Sequence, residues 1–122
     1  MDSHERILVV DDQKNVRMLF ERVLSNEGYQ VECAASGGEA IDKLAKDSFD
    51  LVVTDLKMDG IDGLDLIKRA KKEKDSLPFV LISGYGTSRT AALAAKDGAD
   101  VFLAKPIDIN DLKTAVKKAL QK

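Results

Sequence analysis

Apolar residues along the chain fall into two interleaved patterns. Short runs read as strands: "RILVVD" from Arg6 to Asp11, "DLVVTD" over 50–55, "FVLIS" just after Pro78 and "VFLAK" just before Pro106. One further strand candidate, "YQVECAA", alternates Tyr29, Val31, Cys33 and Ala35 against Gln30, Glu32 and Ala34, as a half-exposed edge strand would. Between these runs the apolar spacing turns helical. Val16, Leu19, Phe20, Val23 and Leu24 make the first stripe, with a stop near Asn26–Gly28. Ala40, Ile41, Leu44 and Ala45 make the second, behind a Ser36–Glu39 pair at capping-box spacing. Leu64, Leu66, Ile67 and Ala70 make the third, beginning near Gly63. An alanine-rich fourth pattern runs from about Ser88 to Lys96 and stops near Gly98; a fifth starts behind Asp108 as N-cap and runs to the end.

Strictly alternating strands and helices predict parallel strands joined by right-handed crossovers. The first, third and fourth strands are near-continuous apolar runs, as strands covered on both faces are. The second is the edge candidate, which favours the order 2-1-3-4-5. The expected fold is a flavodoxin-like, doubly wound α/β domain over residues 1–122, with a five-stranded parallel sheet and five helices. Strands one and three are then neighbours at the topological switch point, where such sheets bind ligands beyond their carboxyl ends.

Composition narrows the class further. The chain has 122 residues, of which 44% are hydrophobic and 33% charged, the balance of one globular domain with one core. No apolar run approaches a bilayer span, and the polar "MDSHER" start lacks a signal-peptide core, so the expectation is a cytoplasmic protein with no membrane partner. Acids and bases interleave to a net charge of −2, which argues against a direct nucleic-acid surface. The lone Cys33 sits in an apolar alternation and reads as a structural thiol.

The chemistry gathers at the strand ends. A carboxylate is a poor way to finish a core strand, yet Asp11 and Asp12 end the first strand and Asp55 the third. Neighbouring strands lie about 4.8 Å apart, so the three acids converge. Like charges that close oppose one another's ionisation and require a cation. Hard oxygen donors at this density suit Mg²⁺. Ser83 ends the fourth strand with a hydroxyl and Lys105 the fifth with an ammonium. Together these groups can receive a phosphoryl group, with Asp55, between strands one and four, as nucleophile. Each residue alone has a plainer reading: Asp12 as a turn or cap, Ser83 as a turn hydroxyl, Lys105 as a solvated cation. The joint pattern discriminates.

With "ILVVDD", "LVVTDLKMDGIDGLDLI", "LISGYGT" and "VFLAKPID" in this order over nearly the whole chain, the sequence resembles a two-component response-regulator receiver domain of the chemotaxis-regulator type. The resemblance implies Asp55 as phospho-acceptor and Asp11 and Asp12 as Mg²⁺ ligands, direct or through water. It implies that Lys57 contributes its backbone carbonyl to the metal. It also implies Ser83 and Lys105 as phosphoryl-binding residues, Phe102 as the aromatic switch position and a cis Lys105–Pro106 bond. The implied donor is a sensor histidine kinase or phosphotransfer protein. The implied output is a downstream effector docked on the fourth helix, fifth strand and fifth helix, with homodimer formation on activation left open. Such a domain is not an enzyme acting on a separate substrate; it catalyses only its own phosphorylation and dephosphorylation. The sequence departs from the family at Asp59, where receivers commonly carry proline.

Several expectations follow. His4, in the polar tail, is incidental to phosphotransfer. Tyr85 could flank the pocket. The fourth helix has only Leu93 as a large apolar anchor, so it and the loop Gly84–Ser88 should shift on phosphorylation. Lys113, Lys117, Lys118 and Lys122 give the last helix a basic surface, either solvated or part of the docking face; Lys68, Lys71 and Lys72 read as solvated. Two rivals stand beside this reading. An aspartyl phosphohydrolase would want a second acid where Lys57 stands, and an unphosphorylated pseudo-receiver would have no use for the intact acids. No effector domain follows the fifth helical pattern, which leaves open a stand-alone receiver or a piece of a longer regulator.

Overall fold

The computed structural model describes residues 5–58, 60–84, 92, 95, 96 and 98–121. Along the chain come β1 (Arg6–Val10), α1 (Lys14–Asn26), β2 (Gln30–Ala34), α2 (Gly37–Lys46), β3 (Leu51–Asp55), α3 (Gly63–Glu73), β4 (Phe79–Ser83), β5 (Val101–Ala104) and α4 (Ile109–Leu120). The strands form one sheet in the order β2-β1-β3-β4-β5. Every pairing is parallel. The expected order is the observed one. Five helices were expected and four are described, because the fourth pattern, Ser88–Lys96, lies almost wholly outside the described residues, as do His4, Asp59, Tyr85, Leu93 and Lys122.

The pleat sends successive strand residues into two separate cores. Leu8, Val10, Val52, Phe79 and Leu81 pack with Ala40, Leu66, Ile67 and Ala70 of α2 and α3. Ile7, Val9, Leu51, Val53, Val80 and Ile82 pack with Phe20, Leu24, Leu112 and Val116 of α1 and α4. This two-sided cover is why β1, β3 and β4 carry apolar runs instead of alternation. The edge strand departs from its expected pattern. Ala34 is buried beneath α2, and Ala35 is exposed beyond the strand, because the edge also has a helix on each face.

Local chemistry sets the helix ends. Ser36 Oγ accepts the Glu39 N–H at 3.1 Å, and Glu39 Oε2 accepts the Ala35 N–H at 3.1 Å. The reciprocal bond thus lands one residue before the cap. Asp62 caps α3 through the Asp65 N–H, and Asp108 caps α4 through Asn110 and Asp111. After α1, Gly28 takes φ 97°, the left-handed conformation that ends a helix cheaply only at glycine.

Candidate functional site: an acidic cluster at the carboxyl edge of the sheet

The site lies where β1 and β3 end side by side. Val10 pairs with Thr54, so Asp11 follows β1 at the level where Asp55 closes β3. Asp11 lies one residue past the strand, yet its N–H still donates to Ala34 O at 3.2 Å. Asp11, Asp12 and Asp55 each offer a carboxylate oxygen, and these oxygens lie within 4.8 Å of one another. Asp11 and Asp55 are buried; Asp12 is exposed. The chain directs Asp11 by a turn in which its Oδ1 accepts the Gln13 N–H at 2.8 Å.

Lys105, just past β5, brings its Nζ to 3.4 Å from Asp55 Oδ2. The Lys105–Pro106 bond is cis, as the resemblance implied. Ser83 is fully buried at the end of β4, and its carbonyl accepts the Lys105 N–H at 2.8 Å. Lys57 is exposed in the loop after β3. Phe102 is half-buried against the α2–α3 core. The structure thus groups Asp11, Asp12, Asp55 and Lys105 by side chain, places Ser83 at the next strand end, and packs Phe102 against the α2–α3 core. Lys113 is engaged within the protein, with its Nζ 3.8 Å from Glu27 Oε2 of the neighbouring region after α1.

Electrostatics follow from this crowding. Burial pushes the Asp11 carboxyl above its ordinary value; the Gln13 N–H pulls it down, Asp55 pushes it up, Lys105 pulls it down and Asp12 pushes it up. Three hard-oxygen donors, two of them buried and faced by one ammonium, suit a small divalent cation.

Residues that sequence reasoning did not assign complete the geometry. Gly63 opens α3 so close to β3 that a Cβ there would stand 2.5 Å from the Asp55 carbonyl oxygen and 2.8 Å from Leu81 Cδ1. Gly37 similarly admits Ile61, whose carbonyl oxygen would lie 2.7 Å from an added Cβ. Thr54 Oγ1 donates to the Asp55 carbonyl at 3.0 Å. Arg17 Nη1 donates to the Asp11 carbonyl at 2.8 Å. For Gly63 and Gly37 the hint in the sequence is a glycine at the start of an otherwise amphipathic helix; for Thr54 and Arg17 there is none.

Comparison with known proteins agrees with this geometry. The model of the response regulator receiver domain family matches residues 7–117. Sporulation initiation phosphotransferase F of Bacillus subtilis is 38% identical over 117 residues, covering 96% of this chain and 94% of the relative. Transcriptional regulatory protein GlrR of Escherichia coli is 35% identical over 121 residues; the alignment covers 98% of this chain but 27% of GlrR. Among solved structures, the response regulator TrrA of Thermotoga maritima, in complex with Mg²⁺-BeF, superposes with a TM-score of 0.86 at 36% identity, covering 95% of this chain and 99% of that one. A CheY-like receiver domain from Methanospirillum hungatei superposes with a TM-score of 0.91 at 31% identity, covering 98% of this chain and 95% of that one. Family match and strand order meet on one conclusion: the chain belongs to the response regulator receiver domains of two-component signalling.

Proposed function

We propose that this receiver is a phosphorylation-dependent switch with Asp55 as its phospho-acceptor. The observation that carries the reading is the Asp55 carboxylate, buried at a strand end with two further carboxylates within 4.8 Å and the Lys105 ammonium at 3.4 Å. The Mg²⁺-BeF complex of TrrA and the phosphotransferase name of the Bacillus relative support it.

In this reading Asp11, Asp12, Asp55 and the Lys57 carbonyl would hold Mg²⁺. The ion would neutralise phosphoryl oxygens. An Asp55 carboxylate oxygen attacks the phosphorus of a phosphohistidine on a sensor kinase or phosphotransfer protein. The P–O bond forms, the P–N bond breaks, and the imidazole leaves with a proton. Lys105 neutralises the charge carried by the new group, and Ser83 donates a hydrogen bond to it. Water later hydrolyses the acyl phosphate. The domain acts on no separate substrate. Its output passes through the segment 88–96, β5 and α4 to an effector in the cytoplasm, with Ser83 and Phe102 as the moving parts.

The test is incubation of the whole chain with Mg²⁺ and a small acyl-phosphate donor, followed by intact-mass measurement. One added phosphoryl group is expected, lost in Asp55→Asn and on chelation. Undiminished loading of Asp55→Asn would refute the assignment.

A further inference from the structure

We propose that Arg17 is a positioning residue for the acidic cluster, fixing from α1 the turn that carries Asp11 and Asp12. The inference rests on the reading of that cluster as the Mg²⁺ site. Asp11 and Asp12 lie outside the β1 ladder, and the turn they occupy must hold mutually repelling carboxylates together. A strand-to-helix turn is commonly fixed by a side-chain cap at the first residue before the helix. Here that residue is Gln13, whose side chain makes no cap bond.

Arg17 takes over from the helix side. Its Nη1 reaches back to the Asp11 carbonyl at 2.8 Å. Its own N–H donates to Gln13 O at 3.1 Å. Its carbonyl faces Cys33 Sγ of β2 at 3.8 Å, so the residue is held at both ends. With the Asp11 N–H on Ala34 O and Asp11 Oδ1 on the Gln13 N–H, every backbone polar group of Asp11 is then engaged, and the second carboxylate oxygen has little freedom of aim. Removing Arg17 frees the carbonyl, and the turn can rotate to relieve repulsion. Residues that orient metal ligands in this way typically cost about 10–100-fold in metal affinity when removed.

The experiment uses the whole chain as wild type, Arg17→Met and Arg17→Lys. Isothermal calorimetry with Mg²⁺ reads the dissociation constant, metal-free hydrogen exchange reads the Gln13 amide, and thermal melts monitor the fold. Arg17→Met should weaken Mg²⁺ about tenfold and speed Gln13 exchange selectively, and Arg17→Lys, whose ammonium can donate to the same carbonyl, should recover part of both. A global structural loss would instead speed exchange throughout the sheet. Arg17→Met or Arg17→Lys with unaltered Mg²⁺ affinity and unaltered Gln13 exchange overturns the inference. Should Arg17→Met fail to fold, the lysine variant decides, with intermediate values of both readouts expected. Wild type that takes up no Mg²⁺ would sink the metal reading alone; Gln13 exchange would then decide the positioning role.

Discussion

Asp11→Asn should make the metal-free protein more stable at neutral pH. Asparagine keeps the shape of the side chain and the oxygen that accepts the Gln13 N–H at 2.8 Å. It removes a buried charge and its repulsion from Asp12 and Asp55, whose oxygens lie within 4.8 Å. At that separation and an effective dielectric near 20, one pair of unit charges repels by about 3.5 kcal/mol, with Asp12 contributing less because it is exposed. The wild type escapes part of this by holding a proton more readily. A net gain of about 1–2 kcal/mol is therefore expected for the variant, or about 4–8 °C in melting temperature for a chain of this size. The folded-state pKa of Asp11 is raised, so the native state binds the proton more tightly than the unfolded chain. Wild-type stability is accordingly spared this penalty below the unfolded value near 3.8 and loses ground as pH rises through the folded value. The advantage of Asp11→Asn should be present at pH 8 in a chelator and vanish towards pH 3. Saturating Mg²⁺ should stabilise the wild type and leave the variant nearly unmoved. Thermal melts across pH, with and without Mg²⁺, give the answer. A variant no more stable than wild type at pH 8, or one stabilised equally by Mg²⁺, would refute the picture of a strained acidic cluster.

Two further substitutions probe the scaffold. Gly63→Ala places a methyl group 2.5 Å from the Asp55 carbonyl oxygen. The backbone at β3 or α3 must shift, and chemical denaturation should show a loss of about 1–3 kcal/mol despite alanine's better helix propensity, with slower loading of Asp55. Ser36→Ala removes the acceptor for the Glu39 N–H and should cost about 1 kcal/mol in the same assay while leaving Asp55 loading intact.

The sheet order was legible because apolar run length and edge alternation both report burial, and only one strand carried the edge pattern. The acidic cluster was legible because strand ends in a doubly wound sheet share a location. The two caps at Ser36 and Asp108 were readable from local spacing alone. What escaped were contacts between separate elements, whether near or far in sequence. A glycine such as Gly63 or Gly37 announces freedom, but whether a Cβ would strike another backbone depends on how closely two elements approach. Arg17 drew no assignment, since nothing in helical periodicity reports that a long side chain folds back onto Asp11. Ala34 misled because a small apolar residue fits either phase of an edge strand, and the choice fell to α2 above it.

Strand parity divides the site in a way that bears on how a switch would operate. Residues at 7 and 9, 51 and 53, and 80 and 82 face the core under α1 and α4, and Asp11 and Asp55 continue those rows. Lys105 continues the row of Val101 and Leu103, which pack on the same side. Ser83 continues the opposite row, after Phe79 and Leu81, and Phe102 packs on that opposite side. The register strengthens the division: Leu81 pairs with Phe102, and Ser83 pairs with Ala104. Asp11, Asp55 and Lys105 thus belong to one layer, and Ser83 and Phe102 belong to the other. A phosphoryl group on Asp55 that draws Ser83 towards it must pull across the sheet edge, against the layer in which Phe102 sits. Cores packed at crystal density answer such a pull by exchanging one arrangement for another instead of deforming gradually. On the proposed reading, a charge added at the sheet edge, in the row that faces α1 and α4, is felt as repacking on the α2–α3 side.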